Sequence, residues 1–240
     1  MSANAGLQKW IESAKAWIEA QGTDGDWSRR AILDPALEHI LNDVRGKAIL
    51  DLGCGEGRYA RILNSKGAVV TGIDPVPQFI SHACSRDSES SYVEGTAESL
   101  PFADGSFDIV LSYLSFIDIA DLKAAALEIK RVLRDEGKLV IVTISNLAST
   151  TAGWVKNENG QKIHRTVDRY MEIFAVDLEW GGIRIRNFHR PLSYTLGLFL
   201  EQGFALTRFD EPLPKPSDPN FTEEYRVPTF QILTLDRVAD

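Results

Sequence analysis

The chain has 240 residues, 44% of them hydrophobic and 25% charged, with a net charge of −8. That length and mixture suit a folded domain with a sizeable core and exclude a disordered or fibrous chain. The acidic balance, without any dense run of lysine and arginine, argues against nucleic acid as a partner, because binding phosphates needs clustered cations. No apolar run approaches the roughly 20 residues that cross a bilayer, and no basic n-region precedes an apolar core, so a soluble protein without signal peptide or membrane partner is expected. Two cysteines, Cys54 and Cys84, lack metal-ligand spacing. They predict reduced thiols, a cytoplasmic location and no metal site.

Along residues 7–20, Leu7, Trp10, Ile11, Ala14, Trp17 and Ile18 recur at steps of three and four, which predicts a helix with one apolar face. The glycines and short acids of residues 22–26 break it. Helical spacing resumes over 27–41, where Asp34-Pro35 suits a helix start. After Gly46 the pattern changes. Short apolar strands are expected at 47–52, 68–74, 91–94, 107–113 and 137–144, with helices at 58–66, 77–85 and 121–134 between them. This alternation predicts a parallel sheet covered on both faces. It stops over residues 145–190, too long for a plain loop, and an insertion acting as a lid is expected there. A helix at 192–202, a strand at 204–209, a proline-rich excursion over 212–219 and a strand at 229–235 complete the chain.

The strongest chemical signal is Asp51-Leu52-Gly53-Cys54-Gly55-Glu56-Gly57, where the first strand must turn into a helix. Glycine permits positive φ and lets a ligand approach the backbone. The spacing is G-x-G-x-G, whereas dinucleotide folds prefer G-x-G-x-x-G, which disfavours a nicotinamide oxidoreductase. Asp74 ends the second strand beside that turn. Its carboxylate is read as the acceptor for two ribose hydroxyls, in preference to a cap on the turn at Pro75. Cys54 reads as a small residue in a tight turn, since nothing in the sequence near it lowers a thiol pKa.

These stretches, with Gly95-Thr96-Ala97-Glu98-Ser99-Leu100-Pro101-Phe102, Ser106-Phe107-Asp108-Ile109-Val110 and Arg131-Val132-Leu133-Arg134, resemble the class I S-adenosylmethionine-dependent methyltransferases, in particular the small-molecule group that includes ubiquinone-type enzymes. The resemblance covers residues 46–145. It implies a Rossmann-like, doubly wound α/β fold with a seven-stranded, mostly parallel sheet and an antiparallel last strand. Residues 1–45 would form a helical cover of the same domain, and 46–240 the methyltransferase domain with a lid at 145–190. It also implies S-adenosylmethionine as cofactor and S-adenosylhomocysteine as product. Asp51, Gly53, Cys54 and Gly55 would line the methionine end; Asp74 would bind the ribose; Pro75, Thr96, Ala97 and Glu98 would surround the adenine; Ser112 and Tyr113 would face the methyl group. Many relatives carry Asp where this chain has Thr96.

A sulfonium already activates its methyl group, so a general base is needed only for some acceptors. His189 and His164, in the insertion, are the candidates beside Tyr113, and packing roles for both histidines stay open. The expected activity is methyl transfer to oxygen, nitrogen or carbon of a small metabolite by a monomer or homodimer. A non-catalytic cofactor-binding module on the same fold remains the alternative.

Overall fold

The computed structural model describes residues 4–150, 153–218 and 223–239. Thr151 and Ala152 of the expected insertion and Pro219 of the proline-rich stretch lie outside them. The chain begins with helix α1 (Asn4–Gln21), a π-helical turn (Arg29–Leu33) and α2 (Asp34–Ile40). Asp34 is itself helical, at φ −60° and ψ −46°. Helix α2 thus begins at Asp34-Pro35 as expected, with proline in its first turn, and runs on directly from the π-helical turn.

Alternation follows: β1 (Ala48–Leu52), α3 (Arg58–Ser65), β2 (Val69–Asp74), α4 (Pro77–Arg86), β3 (Ser91–Glu94), β4 (Phe107–Tyr113), α5 (Leu122–Val132) and β5 (Leu133–Ile144). Asp121 caps α5 by accepting the Ala124 N–H at 3.0 Å, and the strand begins at Leu133, four residues before the expected start. Then come α6 (Asn146–Ser149), β6 (Trp154–Lys156), β7 (Lys162–Arg165), β8 (Phe174–Trp180), β9 (Ile183–His189), α7 (Leu192–Glu201), β10 (Phe204–Asp210) and β11 (Phe230–Arg237).

Seven strands form one sheet in the order β10-β11-β5-β4-β1-β2-β3. β11 pairs antiparallel with both neighbours, and the other pairings are parallel. This is the expected Rossmann-like architecture. Because a parallel sheet is buried on both faces, β1 and β4 read as nearly continuous apolar runs. One face packs on α5 and α7 through Leu122, Ala125, Ile129 and Phe199. The other packs on the π-helical turn, α2 and α3 through Leu33, Leu37, Tyr59 and Leu63.

Residues 145–190 are not a bare loop. They hold α6 and two antiparallel hairpins, β6–β7 and β8–β9, outside the main sheet. Helix α1 lies against β9. The Ser13 hydroxyl both donates to the Arg184 carbonyl at 2.9 Å and accepts the Arg184 N–H at 2.8 Å. Ion pairs from Glu12 to Arg184 and Lys9 to Asp177 flank this seam.

Candidate active site

At the C-terminal end of β1 the chain reverses into α3 through Gly53, Gly55 and Gly57, whose φ values are 73°, 55° and 82°. Two of them also lack room for a side chain. A Cβ at Gly53 would lie 2.3 Å from the Ser115 Cβ, and one at Gly57 would lie 2.7 Å from the Tyr92 hydroxyl. Gly55 differs: a Cβ there meets nothing within 4 Å, and the residue lines a cavity. The turn is tied to the next strand. The N–H groups of Gly53 and Cys54 donate to the Ile73 carbonyl at 2.8 and 3.0 Å. The Asp74 carboxylate accepts the Gly55 N–H through Oδ2 and the Val76 N–H through Oδ1, each at 2.9 Å. Asp74 thus caps the turn with both oxygens while lining the cavity.

Asp51, at the foot of the turn, is 1% exposed, and its Oδ2 has no hydrogen-bond partner. Burial, joined by the charge of Asp74 and opposed by Arg58, pushes its carboxyl up to about 7. Asp74 is pushed up to about 6 by burial against its two backbone hydrogen bonds. Nearby cations do not neutralise this pair of acids. Arg58 grips Asp34 bidentately at 2.8 and 2.9 Å, and Arg61 holds Glu56 at 2.7 Å. Two buried acids that repel one another and lack a cation form a site complementary to positive charge.

The cavity occupies about 720 Å³. Its floor is the glycine turn with Asp51 and Asp74. One wall is Pro75, Val76, Phe79, Thr96, Ala97 and Glu98, and another is the chain from Tyr113 to Asp121. Leu7, Trp10 and Trp17 of α1 and Leu178, Trp180, Ile183 and Ile185 of the β8–β9 hairpin form the roof. Trp10 and Trp17 meet edge to face at 5.1 Å. Among the described residues, four buried polar atoms of cavity-lining residues have no hydrogen-bond partner: Gln21 Oε1, Asp51 Oδ2, Tyr59 OH and Asn187 Oδ1.

The residues expected from sequence separate into two sets. Asp51, Gly53, Cys54, Gly55, Asp74, Pro75, Thr96, Ala97, Glu98 and Tyr113 converge on this one cavity. Cys54 is buried and its thiol is pushed well up, chiefly by burial and then by Asp74, so it is inert. Ser112, by contrast, is fully buried and hydrogen-bonds Ser115 at 2.8 Å, beneath the lining rather than in it. Tyr113 does line the cavity, but its hydroxyl donates to Asp34 at 2.8 Å and burial raises its pKa. It is a fixed wall, not a base.

Neither histidine lines the cavity. His164 is exposed on β7. His189 is 1% exposed, with Nε2 at 2.9 Å from the Tyr170 carbonyl and Nδ1 at 2.7 Å from the Ser149 hydroxyl. A carbonyl only accepts, so Nε2 carries the proton and Nδ1 accepts from Ser149. Burial keeps this ring neutral. His189 locks β9 to α6 and has no free nitrogen for a substrate.

Other important residues escape a reading of the sequence. Asp34 looks like a helix-start acid, yet it joins Arg58 and Tyr113. Arg131 binds Glu128, Asp104 and the carbonyls of Leu100 and Phe102, while Glu128 accepts the Leu100 N–H at 2.7 Å. These contacts pin the segment just after Ala97 and Glu98. Asp118 and Asn187 line the cavity and hydrogen-bond each other at 2.6 Å. The only sequence signal for Asp118 is an acid inside the otherwise apolar stretch after β4.

Residues 50–141 match the model of a family described as a methyltransferase domain. An uncharacterised methyltransferase of Synechocystis sp. is 34% identical over 166 residues, 68% of this chain and 69% of that protein. A demethylmenaquinone methyltransferase of Thermus thermophilus is 39% identical over 127 residues, 50% of this chain and 55% of that protein. The chain spans about half the length of several of the curated relatives it matches. Among solved structures, an S-adenosylmethionine-dependent methyltransferase of Mesorhizobium loti superposes with a TM-score of 0.77 at 26% identity, over 90% of this chain and all of that one. With the seven-stranded sheet and the glycine turn beneath its acid-lined cavity, these matches place the chain in the class I S-adenosylmethionine-dependent methyltransferase family.

Proposed function

We propose that this chain binds S-adenosylmethionine in the cavity above the glycine turn and transfers its methyl group to oxygen, nitrogen or carbon of a small metabolite. The observation that carries the reading is the unpartnered Asp51 carboxyl beside the open backbone of Gly55, with Asp74 in the same enclosure. These groups fit the cofactor's amino acid and sugar ends. Asp51 would take the ammonium group. Asp74 keeps a second lone-pair site on each oxygen after capping the turn, enough for the two ribose hydroxyls. Pro75, the backbone of Ala97 and Glu98 would border the adenine, with Thr96 offering a neutral hydroxyl in place of a carboxylate.

When bound, the cofactor supplies a methyl group already activated by a positively charged sulfur. The protein's task is then to align a nucleophile behind that carbon and to keep water out. The tryptophan-rich roof of α1 and β8–β9 suits that task, so residues 1–45 and part of the 145–190 insertion together serve as the lid. A cavity of about 720 Å³ suits cofactor plus a small acceptor, and the net charge of −8 disfavours nucleic acid. No helix among the described residues is long and apolar enough to cross a membrane. A cytoplasmic monomer or homodimer is the simplest setting. The cavity reaches Tyr113, which favours catalysis over a module that merely holds the cofactor.

Calorimetric titration with S-adenosylhomocysteine tests the reading. Binding is expected, and Asp74→Ala should weaken it by about 1–3 kcal/mol, the cost of removing a buried acceptor. No heat at millimolar ligand would overturn the assignment, and an unchanged affinity in Asp74→Ala would show that the ribose lies elsewhere.

A further inference from the structure

The roof side of the cavity holds a polar group that the cofactor reading does not use. From Leu114 to Ile119 the segment after β4 is apolar apart from Ser115 and Asp118. Asp118 lines the cavity, and its carboxyl accepts the side-chain N–H of Asn187 from β9 at 2.6 Å. Trp10 of α1, from the other half of the roof, lines the same cavity. The Asn187 donor is neutral.

The cationic side chains that line the same cavity are committed elsewhere: Arg29 to Asp26, Arg58 to Asp34 and Arg186 to Asp177. Arg190 turns its guanidinium to the carbonyls of Ile119 and Ala120. Burial pushes the Asp118 carboxyl up to about 8 despite its hydrogen bond from Asn187, with Asp74 adding to the rise and Arg190 opposing it. Beside it, Asn187 Oδ1 is buried and has no partner among the described residues. Trp10, Trp17, Trp180 and Ile185 line the same cavity. Acceptor oxygens in an aromatic chamber, with no ion pair to a cation among the described residues, call for a ligand that brings its own hydrogen-bond donor and little other polarity.

We propose that Asp118 and Asn187 anchor the methyl acceptor, receiving the O–H or N–H of an otherwise apolar molecule of aromatic-ring size. This rests on the methyltransferase reading above and narrows its substrate class to phenol-like or aryl-amine-like compounds. The indole walls hold the ring, and the paired oxygens select for a donor at its edge.

The test uses the full chain saturated with S-adenosylhomocysteine and two calorimetric probes, 2-naphthol and 2-methoxynaphthalene, which differ in the donor. Wild type should bind the naphthol at least tenfold more tightly. In Asp118→Ala that ratio should fall to within twofold, while affinity for S-adenosylhomocysteine stays within twofold and so also reports a folded cavity. Should Asp118→Ala fail to fold, the near-isosteric Asp118→Asn should lower the ratio at least threefold. The proposal is overturned if wild type binds neither probe or does not discriminate between them, or if the ratio survives both substitutions. It is likewise overturned if the folded variants lose S-adenosylhomocysteine binding, because Asp118 would then serve the cofactor. Absence of S-adenosylhomocysteine binding by wild type would appear in the first titration and defeat the underlying reading, and this proposal with it.

Discussion

The floor and the roof of the cavity are built by different means. Backbone makes the floor: three left-handed glycines, N–H groups on the Ile73 carbonyl and the Asp74 carboxylate, and one acid left without a partner. Side chains make the roof, and they come from segments about 170 positions apart, joined where Ser13 bridges the backbone of Arg184. A backbone-built surface admits few substitutions, because each change meets both a dihedral limit and a neighbouring atom. A side-chain-built surface can be repacked, so one floor can serve many roofs. On the proposed reading, the floor would hold the cofactor and the roof would select the acceptor.

Breaking the floor should have the largest effect. Gly53→Val imposes a side chain at φ 73° and overlaps Ser115. Left-handed strain of about 1–2 kcal/mol and overpacking of about 1–3 kcal/mol predict a total loss of about 2–5 kcal/mol in urea unfolding. Adding Ser115→Gly should recover the overlap but not the strain. A loss below 1 kcal/mol would show that the turn is not held as described.

Asp51→Asn separates binding from stability. Affinity for S-adenosylhomocysteine should drop by about 2–3 kcal/mol, the scale of a charged hydrogen bond. The ligand-free protein at pH 8 should be as stable as wild type or more so, since a buried carboxylate without a partner has been removed. Equal losses in both quantities would make Asp51 structural.

The same carboxyl predicts a pH dependence. Its folded pKa of about 7 lies above the ordinary 3.8, so the folded state favours the protonated form. Its contribution to ligand-free stability is present below pH 4 and is lost as pH rises through 7. A bound ammonium favours the carboxylate and reverses that preference. Affinity for S-adenosylhomocysteine should therefore rise with pH, by up to about tenfold per unit below 7, and level off above it. A flat profile between pH 5.5 and 8 would contradict an ionic contact at Asp51.

The smallest effect belongs to the roof seam. Ser13→Ala leaves the Arg184 N–H and carbonyl unpaired and should cost about 1 kcal/mol in stability, with S-adenosylhomocysteine affinity within twofold of wild type. A matching loss of cofactor affinity would blur the division between floor and roof.

The same division explains what could be read from sequence. Gly53, Gly55, Gly57, Asp51 and Asp74 are legible because a sharp turn and a strand-end acid leave a local signature, and the alternating apolar runs predict a parallel sheet covered on both faces. The roof leaves almost none. Nothing near Asp118 reveals that Trp10 and Asn187, over a hundred positions before and some seventy after, will line one cavity with it. His189 misleads for the converse reason: it stands beside the site in sequence, but Tyr170 and Ser149 take both of its nitrogens. Tyr113 lines the cavity as expected, but Asp34, 79 residues away, holds its hydroxyl.

The most direct test is a crystal structure of the chain with S-adenosylhomocysteine. The amino group is expected against Asp51, the ribose hydroxyls on Asp74 and the backbone of Gly55 in contact with the ligand, leaving the chamber beside Asp118 for an acceptor. Ligand density lying elsewhere, or Asp51 still without a partner in the complex, would contradict the division of labour between floor and roof.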